Sequence, residues 1–188
     1  IDISGTIIGT DGGTDSSAKS ASAVEMGLIN NFVSSLFSSV HVTVNESTVT
    51  FNNENYPYLT YIQNLFNYPV DYQNSIGRNI FWKKDTAGKM NDYKSNQANK
   101  GAIARKSWVT SENKISGIMK LHSPLFLIKP YLMSFLNVDI TLNRVTNHDF
   151  LFMSLDGATF KFKIDSIIFR IRKVKLVSSY VESIEQML

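Results

Sequence analysis

From Phe160 to Leu176 apolar side chains recur at every second position, a spacing that only an extended strand turns into a continuous face. Phe160, Phe162 and Ile164 share one parity, Ile167, Phe169 and Ile171 take the other, and Val174 and Leu176 switch back. A slip of one residue moves every side chain to the opposite face, so two parity changes in one run predict β-bulges or a break.

Other segments carry the same period. Val40, Val42 and Val44 alternate with His41 and Thr43, Asn45 to Ser47 reads as a turn, and Val49 and Phe51 follow, which predicts a β-hairpin. Ile1 to Ile3 with Ile7 and Ile8, Ile115 to Leu121, Val138 to Val145 and Leu151 to Met153 read as further strands, and Ile80-Phe81-Trp82 as a strand edge. In the Val138 run, Val138, Ile140 and Leu142 are expected inward. Helical spacing appears where Leu28, Ile29, Phe32, Val33, Leu36 and Phe37 follow a capping box at Ser22 to Glu25. Tyr56 to Tyr68 predicts a second helix, with Pro57 in its first turn, Leu59, Ile62, Leu65 and Phe66 on its apolar face, and Pro69 as its stop. A third begins near a capping box at Ser179 to Glu182 and carries Val181, Ile184 and Leu188. Thr10 to Ala23 reads as a glycine-rich loop, and Lys83 to Ser107 as a long polar surface excursion. Short strands joined by polar connections, without βαβ spacing, predict an all-β fold: an antiparallel β-sandwich with short helices inserted in its loops.

A chain of 188 residues, 43% hydrophobic and 19% charged, suits one folded domain with its own core. With no cysteine, disulfides, thiolate catalysis and cysteine-bound zinc are excluded. No apolar run approaches the roughly 20 residues of a membrane-spanning helix. The opening residues do not read as a signal peptide, and a first residue of Ile1 suggests a piece of a longer or processed chain.

The residue patterns of catalysis are missing. His41, His122 and His148 are widely spaced, and none has a metal-type partner at i+3 or i+4. Ser111 to Lys114 fits S-x-x-K, but in a polar loop and without its companion motifs. Gly9 to Asp15 lacks the spacing and closing glutamate of a calcium loop. Asn45-Glu46-Ser47 is a glycosylation sequon by pattern and hairpin-turn chemistry by position. The residues therefore predict no enzyme, no catalytic, metal or cofactor site, and no small-molecule substrate. Charge, by contrast, is unevenly spread. Residues 1–75 carry a net −6 and residues 76–188 a net +9. Arg170, Arg172, Lys173 and Lys175 line the polar positions of the last strand, and Lys83, Lys84, Lys89, Lys94 and Lys100 stud the polar loop beside Trp82 and Tyr93. Such clusters suit phosphate contacts, or simply blunt a strand against unwanted pairing.

Several segments together resemble the major capsid proteins of Polinton/Maverick elements and their adintovirus-like relatives. They are Leu28 to Asn45, Tyr56 to Tyr68 with its YPY, the DTAGKMND of Asp85 to Asp92, Gly117 to Phe126, Leu136 to Met153, and the KFKIDSIIFRIRKVKL of Lys161 to Leu176. Leu59 stands where that family usually has a basic residue. The resemblance implies a jelly-roll domain over 1–177, the first of a double jelly roll. Residues 178–188 would form a helical linker toward a second roll, and an N-terminal strand would precede Ile1. It implies a structural protein that self-assembles into trimeric, pseudo-hexagonal capsomers of an icosahedral virion shell, built inside the host cell. Its partners would be copies of itself, minor capsid and penton proteins, and packaged DNA on the inner face. Tyr56, Tyr58, Tyr61 and Trp82 are the candidate subunit-interface aromatics, and Arg170, Arg172, Lys173 and Lys175 the candidate basic surface. The alternatives are a single jelly-roll minor capsid protein, penton or attachment, and a basic nucleic-acid-binding β-sandwich.

Overall fold

The computed structural model describes the chain except residues 11–25, 51–53, 95, 97, 127–131, 133–135, 155–158, 178–180, 182 and 184–188. Its strands are β1 (Asp2–Thr10), β2 (Met26–Leu28), β3 (Phe37–Val44), β4 (Ser47–Thr48), β5 (Lys114–Ile118), β6 (Val138–Arg144), β7 (Phe152–Ser154) and β8 (Thr159–Ile168). They pair antiparallel in three small sheets, ordered β5-β1-β8, β2-β7 and β4-β3-β6. Among the described residues four short helices lie between strands: α1 (Phe32–Ser35), α2 (Tyr56–Asn67), α3 (Val70–Asn74) and α4 (Lys100–Ser107). The predominance of antiparallel strands agrees with the all-β expectation.

Three of the pairings are nested. β1 pairs with β8, β2 with β7, and β3 with β6. Nearly the whole chain must fold back on itself to make them, so the sheets rest on long-range contacts rather than on local hairpins. The exception is β3–β4, joined by Asn45 and Glu46, both left-handed at φ 47° and 67°. A two-residue loop with both φ values positive matches the twist of the flanking strands.

All three sheets feed one core. Ile3, Ile7, Ile115, Phe160 and Phe162 come from the first sheet, Met26, Leu28 and Phe152 from the second, and Phe37, Val40 and Val42 from the third. Phe32 sits at its centre, with ring centroids 5.3 Å from Phe162, 5.6 Å from Phe152 and 6.2 Å from Phe81. Edge-to-face and tilted contacts of this kind let the positive ring edge meet a neighbouring π face. Gly5 makes room for the layer: a Cβ there would stand 2.4 Å from the Phe162 ring and 2.3 Å from the Lys163 carbonyl.

Several expectations are corrected. Helical spacing over Leu28 to Phe37 yields only the single turn α1, flanked by β2 and β3. Asn31, Ser34 and Ser35 are buried together with the apolar residues around them, so the apolar spacing does not mark a single inward face. Ile80-Phe81-Trp82 is not a strand edge: Ile76–Ile80 is a 3₁₀ turn and Phe81 is left-handed at φ 56°. The aromatic core fixes that costly conformation. The first parity change of the last strand is a bulge, since Ser4 faces Ser166 while Gly5 faces Ile164, leaving Asp165 unmatched. Its carboxylate accepts a 2.8 Å hydrogen bond from Thr6. The second change is the break, the other outcome expected: β8 ends at Ile168 and residues 169–177 form no strand. Arg170, Arg172, Lys173 and Lys175 therefore lie beyond the strand whose polar positions they were expected to line.

Helix α2 spans nearly the expected residues with the opposite face inward. Tyr56, Thr60 and Asn64 are buried, whereas Ile62 is 52% and Phe66 79% exposed. The inward stripe is a hydrogen-bonded seam. Asn31 donates to Thr60 Oγ1 at 2.6 Å, and Asn64 donates to Asn31 Oδ1 at 3.3 Å. These pairs offset the penalty of burying Asn31, Thr60 and the Asn64 amide nitrogen, while Asn64 Oδ1 is left without a partner. The capping boxes at Ser22 and Ser179, the end of the hairpin at Phe51, the acids of the Gly9 to Asp15 loop and most of the C-terminal helix lie outside the described residues.

Candidate functional site

The segment expected to be a surface excursion, Lys83 to Ser107, is tied into the body of the protein. Arg105, on α4, is fully buried. Its Nε donates to the Leu28 carbonyl at 2.9 Å, one terminal nitrogen to the Lys83 carbonyl at 2.7 Å, and the other to the Asp85 carboxylate at 2.7 Å. Burial lowers the pKa of the guanidinium and Asp85 opposes that shift, so the group stays charged. Asn99 caps α4, accepting from Gly101 and Ala102 at 3.1 and 3.4 Å, and its amide donates to the same Asp85 oxygen at 2.9 Å. Asn30 exchanges two hydrogen bonds with Lys83, at 2.8 and 3.0 Å. The composition of this segment concealed its role because its anchors are asparagine, aspartate and arginine.

Above this hub opens a cavity of about 710 Å³ between α2, the α4 segment and residues 145–153. Its volume falls in the range of about 300–1,000 Å³ that suits a ligand or a docked side chain. Tyr58, Tyr61, Met90 and Phe150 line it, with Glu54 and Asp85 supplying negative charge. Burial first, then the Asp85 charge, push the Tyr61 hydroxyl pKa up, so it remains a protonated donor. Each of the three side-chain nitrogens of Arg105 already donates to a protein atom. The arrangement can seat an aromatic or apolar group, and among the described residues lining it no nucleophile is aligned with a base.

The four candidate interface aromatics divide. Tyr56 is 4% and Trp82 1% exposed, so both are interior to the subunit. Tyr61 packs edge-on against Trp82 at 4.9 Å while also lining the cavity. Tyr58 alone faces outward, at 72% exposure, and with Ile62 and Phe66 it makes a row along α2 at i, i+4 and i+8. The α2 periodicity was visible in sequence, but its inward and outward faces were not.

The remaining candidates stay apart. Arg170, Arg172, Lys173 and Lys175 are exposed, and Arg170 reaches Asp2 at 2.5 Å. Lys83, Lys84, Lys89, Lys94 and Lys100 are spread over a folded segment, with Lys100 opening α4. Lys114, of the S-x-x-K match, pairs with Glu112 at 2.6 Å on the surface. His41 shares a 3.1 Å contact with Ser39. His122 is buried against Gln63 at 2.5 Å, and burial followed by the Lys120 charge lowers its pKa to about 4. Among the described residues no group of histidines and carboxylates is placed to hold a metal, and no helix is long and apolar enough to cross a membrane. No protein-family model, no curated protein and no solved structure matches the chain.

Proposed function

We propose that this chain is a structural capsid subunit of jelly-roll topology that works by self-assembly into trimeric capsomers of a virion shell. The nested pairing of β1 with β8, β2 with β7 and β3 with β6 is the observation that carries the reading. A jelly roll is a long antiparallel hairpin rolled into a double sheet, and nested pairs are what rolling such a hairpin leaves behind. The β5 strand on the other side of β1 is an addition to that scheme. The row of Tyr58, Ile62 and Phe66 supports the assembly half of the proposal, since apolar rows of this kind mark protein contacts.

Light scattering behind a sizing column tests it. The expected mass is three times the 21.2 kDa of one chain. The Ile62→Ser/Phe66→Ser variant, altered only at exposed positions, is expected to keep its fold by circular dichroism and to lose the trimer. Five copies would replace the capsomer with a penton-type single jelly roll. A monomer at all concentrations would overturn the proposal, and salt-dependent DNA binding by that monomer would favour the nucleic-acid module instead.

A further inference from the structure

The cavity beside α2 is built from side chains that select the charge of an occupant. At its base lies the Arg105–Asp85 pair, and its mouth is open, since Tyr58, Met90 and Phe150 line it while being 72%, 60% and 45% exposed. Large apolar side chains held around a cavity rather than in the core remain available to an incoming molecule.

An anion finds no partner there. Arg105 is the one basic residue among the described lining residues, and its three side-chain nitrogens all donate into the protein. Neutral hydrogen-bonding groups in the wall are largely spent as well. Asn30 is engaged with Lys83, and the hydroxyls of Ser35 and Ser38 donate to the main-chain carbonyls of Asn31 and Asn143.

A cation meets the opposite situation. Glu54 and Asp85 bring two carboxylates to the lining against the one guanidinium. Arg105 and Asn99 both donate to Oδ1 of Asp85, so neither bond occupies Oδ2. Tyr58, Tyr61 and Phe150 add three rings whose π faces attract positive charge, and Met90 and Met153 add polarizable thioethers. The edge-on contact with Trp82 at 4.9 Å holds Tyr61 in place, so this wall needs little ordering when a ligand arrives.

We propose that the cavity binds an organic cation, a protonated amine carried on an apolar or aromatic body. The ammonium head lies between the carboxylates of Glu54 and Asp85 and the aromatic rings, and the body packs on Met90, Phe150 and Met153. About 710 Å³ is room for head and body together. A free amine and a lysine side chain of a peptide present the same chemistry to it. The proposal goes beyond assembly, because it concerns the cavity, and of the exposed α2 row only Tyr58 reaches the lining.

Three probes that share a ring and differ in charge test it: benzylammonium, benzyl alcohol and benzoate. Each is titrated into the whole chain while the methionine methyl groups are followed by NMR. Benzylammonium is expected to shift Met90 and Met153 saturably and to bind about five- to thirtyfold more tightly than benzyl alcohol, with benzoate weakest. Glu54→Gln and Phe150→Leu, each altered at an exposed position and checked for fold by circular dichroism, should shrink that preference about two- to fivefold. An acetyl-Gly-Lys-Gly-amide tripeptide that binds more tightly than benzylammonium identifies a peptide lysine as the source, and weaker binding identifies a free amine. Equal binding of benzyl alcohol overturns the proposal in favour of a merely apolar pocket, and tighter binding of benzoate overturns it in favour of an anion held by Arg105. It is overturned as well if no probe shifts Met90 and Met153, or if both variants keep the full preference. Light scattering reads the trimer separately, so the capsid reading and this one can each fail alone.

Discussion

Replacing Asp85 with alanine isolates the contribution of the buried hub. Asp85 is the carboxylate against a guanidinium that is 0% exposed, at 2.7 Å, and it also accepts from Asn99. Removing one partner of a buried ion pair leaves the other uncompensated, at a cost of about 3–5 kcal/mol. The side chain of Asp85 is itself 14% exposed, so water entering the truncated site puts the loss near the lower end, about 3 kcal/mol. For a domain of this length roughly 2–4 °C accompany each kcal/mol, so the melting temperature should fall by about 6–12 °C. Glu112→Ala, which breaks the exposed pair with Lys114, provides the control and should leave the denaturation midpoint essentially unchanged. Urea denaturation followed by tryptophan fluorescence reads both, because Trp82 is buried and Trp108 packs on Phe81 at 5.6 Å. An Asp85→Ala loss below about 1 kcal/mol, at an unchanged denaturant slope, would refute the reasoning. It would mean that Arg105 reaches water and that the segment from Lys83 to Ser107 is not anchored through it. Combining Asp85→Ala with Arg105→Met should cost less than the two single losses added, by about 1–3 kcal/mol, because the orphaned charge is then gone.

Three other outcomes follow from local geometry. His122 has a folded-state pKa of about 4 against 6.5 when free, so the unfolded chain takes up the proton first; stability is full above about pH 6.5 and declines as pH falls toward 4, and His122→Gln should flatten that decline in urea titrations at pH 5 and 7. Gly5→Ala should destabilise by at least about 1–3 kcal/mol in thermal melts, since the new Cβ meets the Lys163 backbone and the Phe162 ring. Glu46→Gly should raise stability by up to about 1 kcal/mol, because Glu46 holds a left-handed φ of 67° that glycine adopts without strain; an unchanged or lower denaturation midpoint would count against a two-residue turn with both φ values positive.

The chain writes its local preferences plainly. Alternation announced β3 and β6, the turn expected at Asn45 to Ser47 announced the hairpin, and a parity change in an isoleucine-rich run announced the bulge at Asp165. These features were legible because each depends on neighbours within a few residues, where side-chain period and left-handed φ are fixed by the chain itself. The YPY segment fixed the extent of α2 in the same way. Burial was harder to read. Thr60, Asn64, Asn99 and Arg105 are hidden because residues far away in sequence supply their partners, and an isolated stretch of sequence does not display those partners.

What the sequence determined by itself is a β-rich chain without thiol chemistry, with a short amphipathic helix and a basic segment near its C-terminal end. Only the tertiary structure decided which way α2 faces, that Trp82 belongs to the interior, and that β8 stops at Ile168 with its basic continuation exposed. The physical reason is the same in each case. Periodicity marks where apolar and polar groups stand on an element, but the free energy of burial depends on what the rest of the fold brings against each face. On α2 a set of hydrogen-bond partners, Asn31 foremost, made the polar face the one to bury.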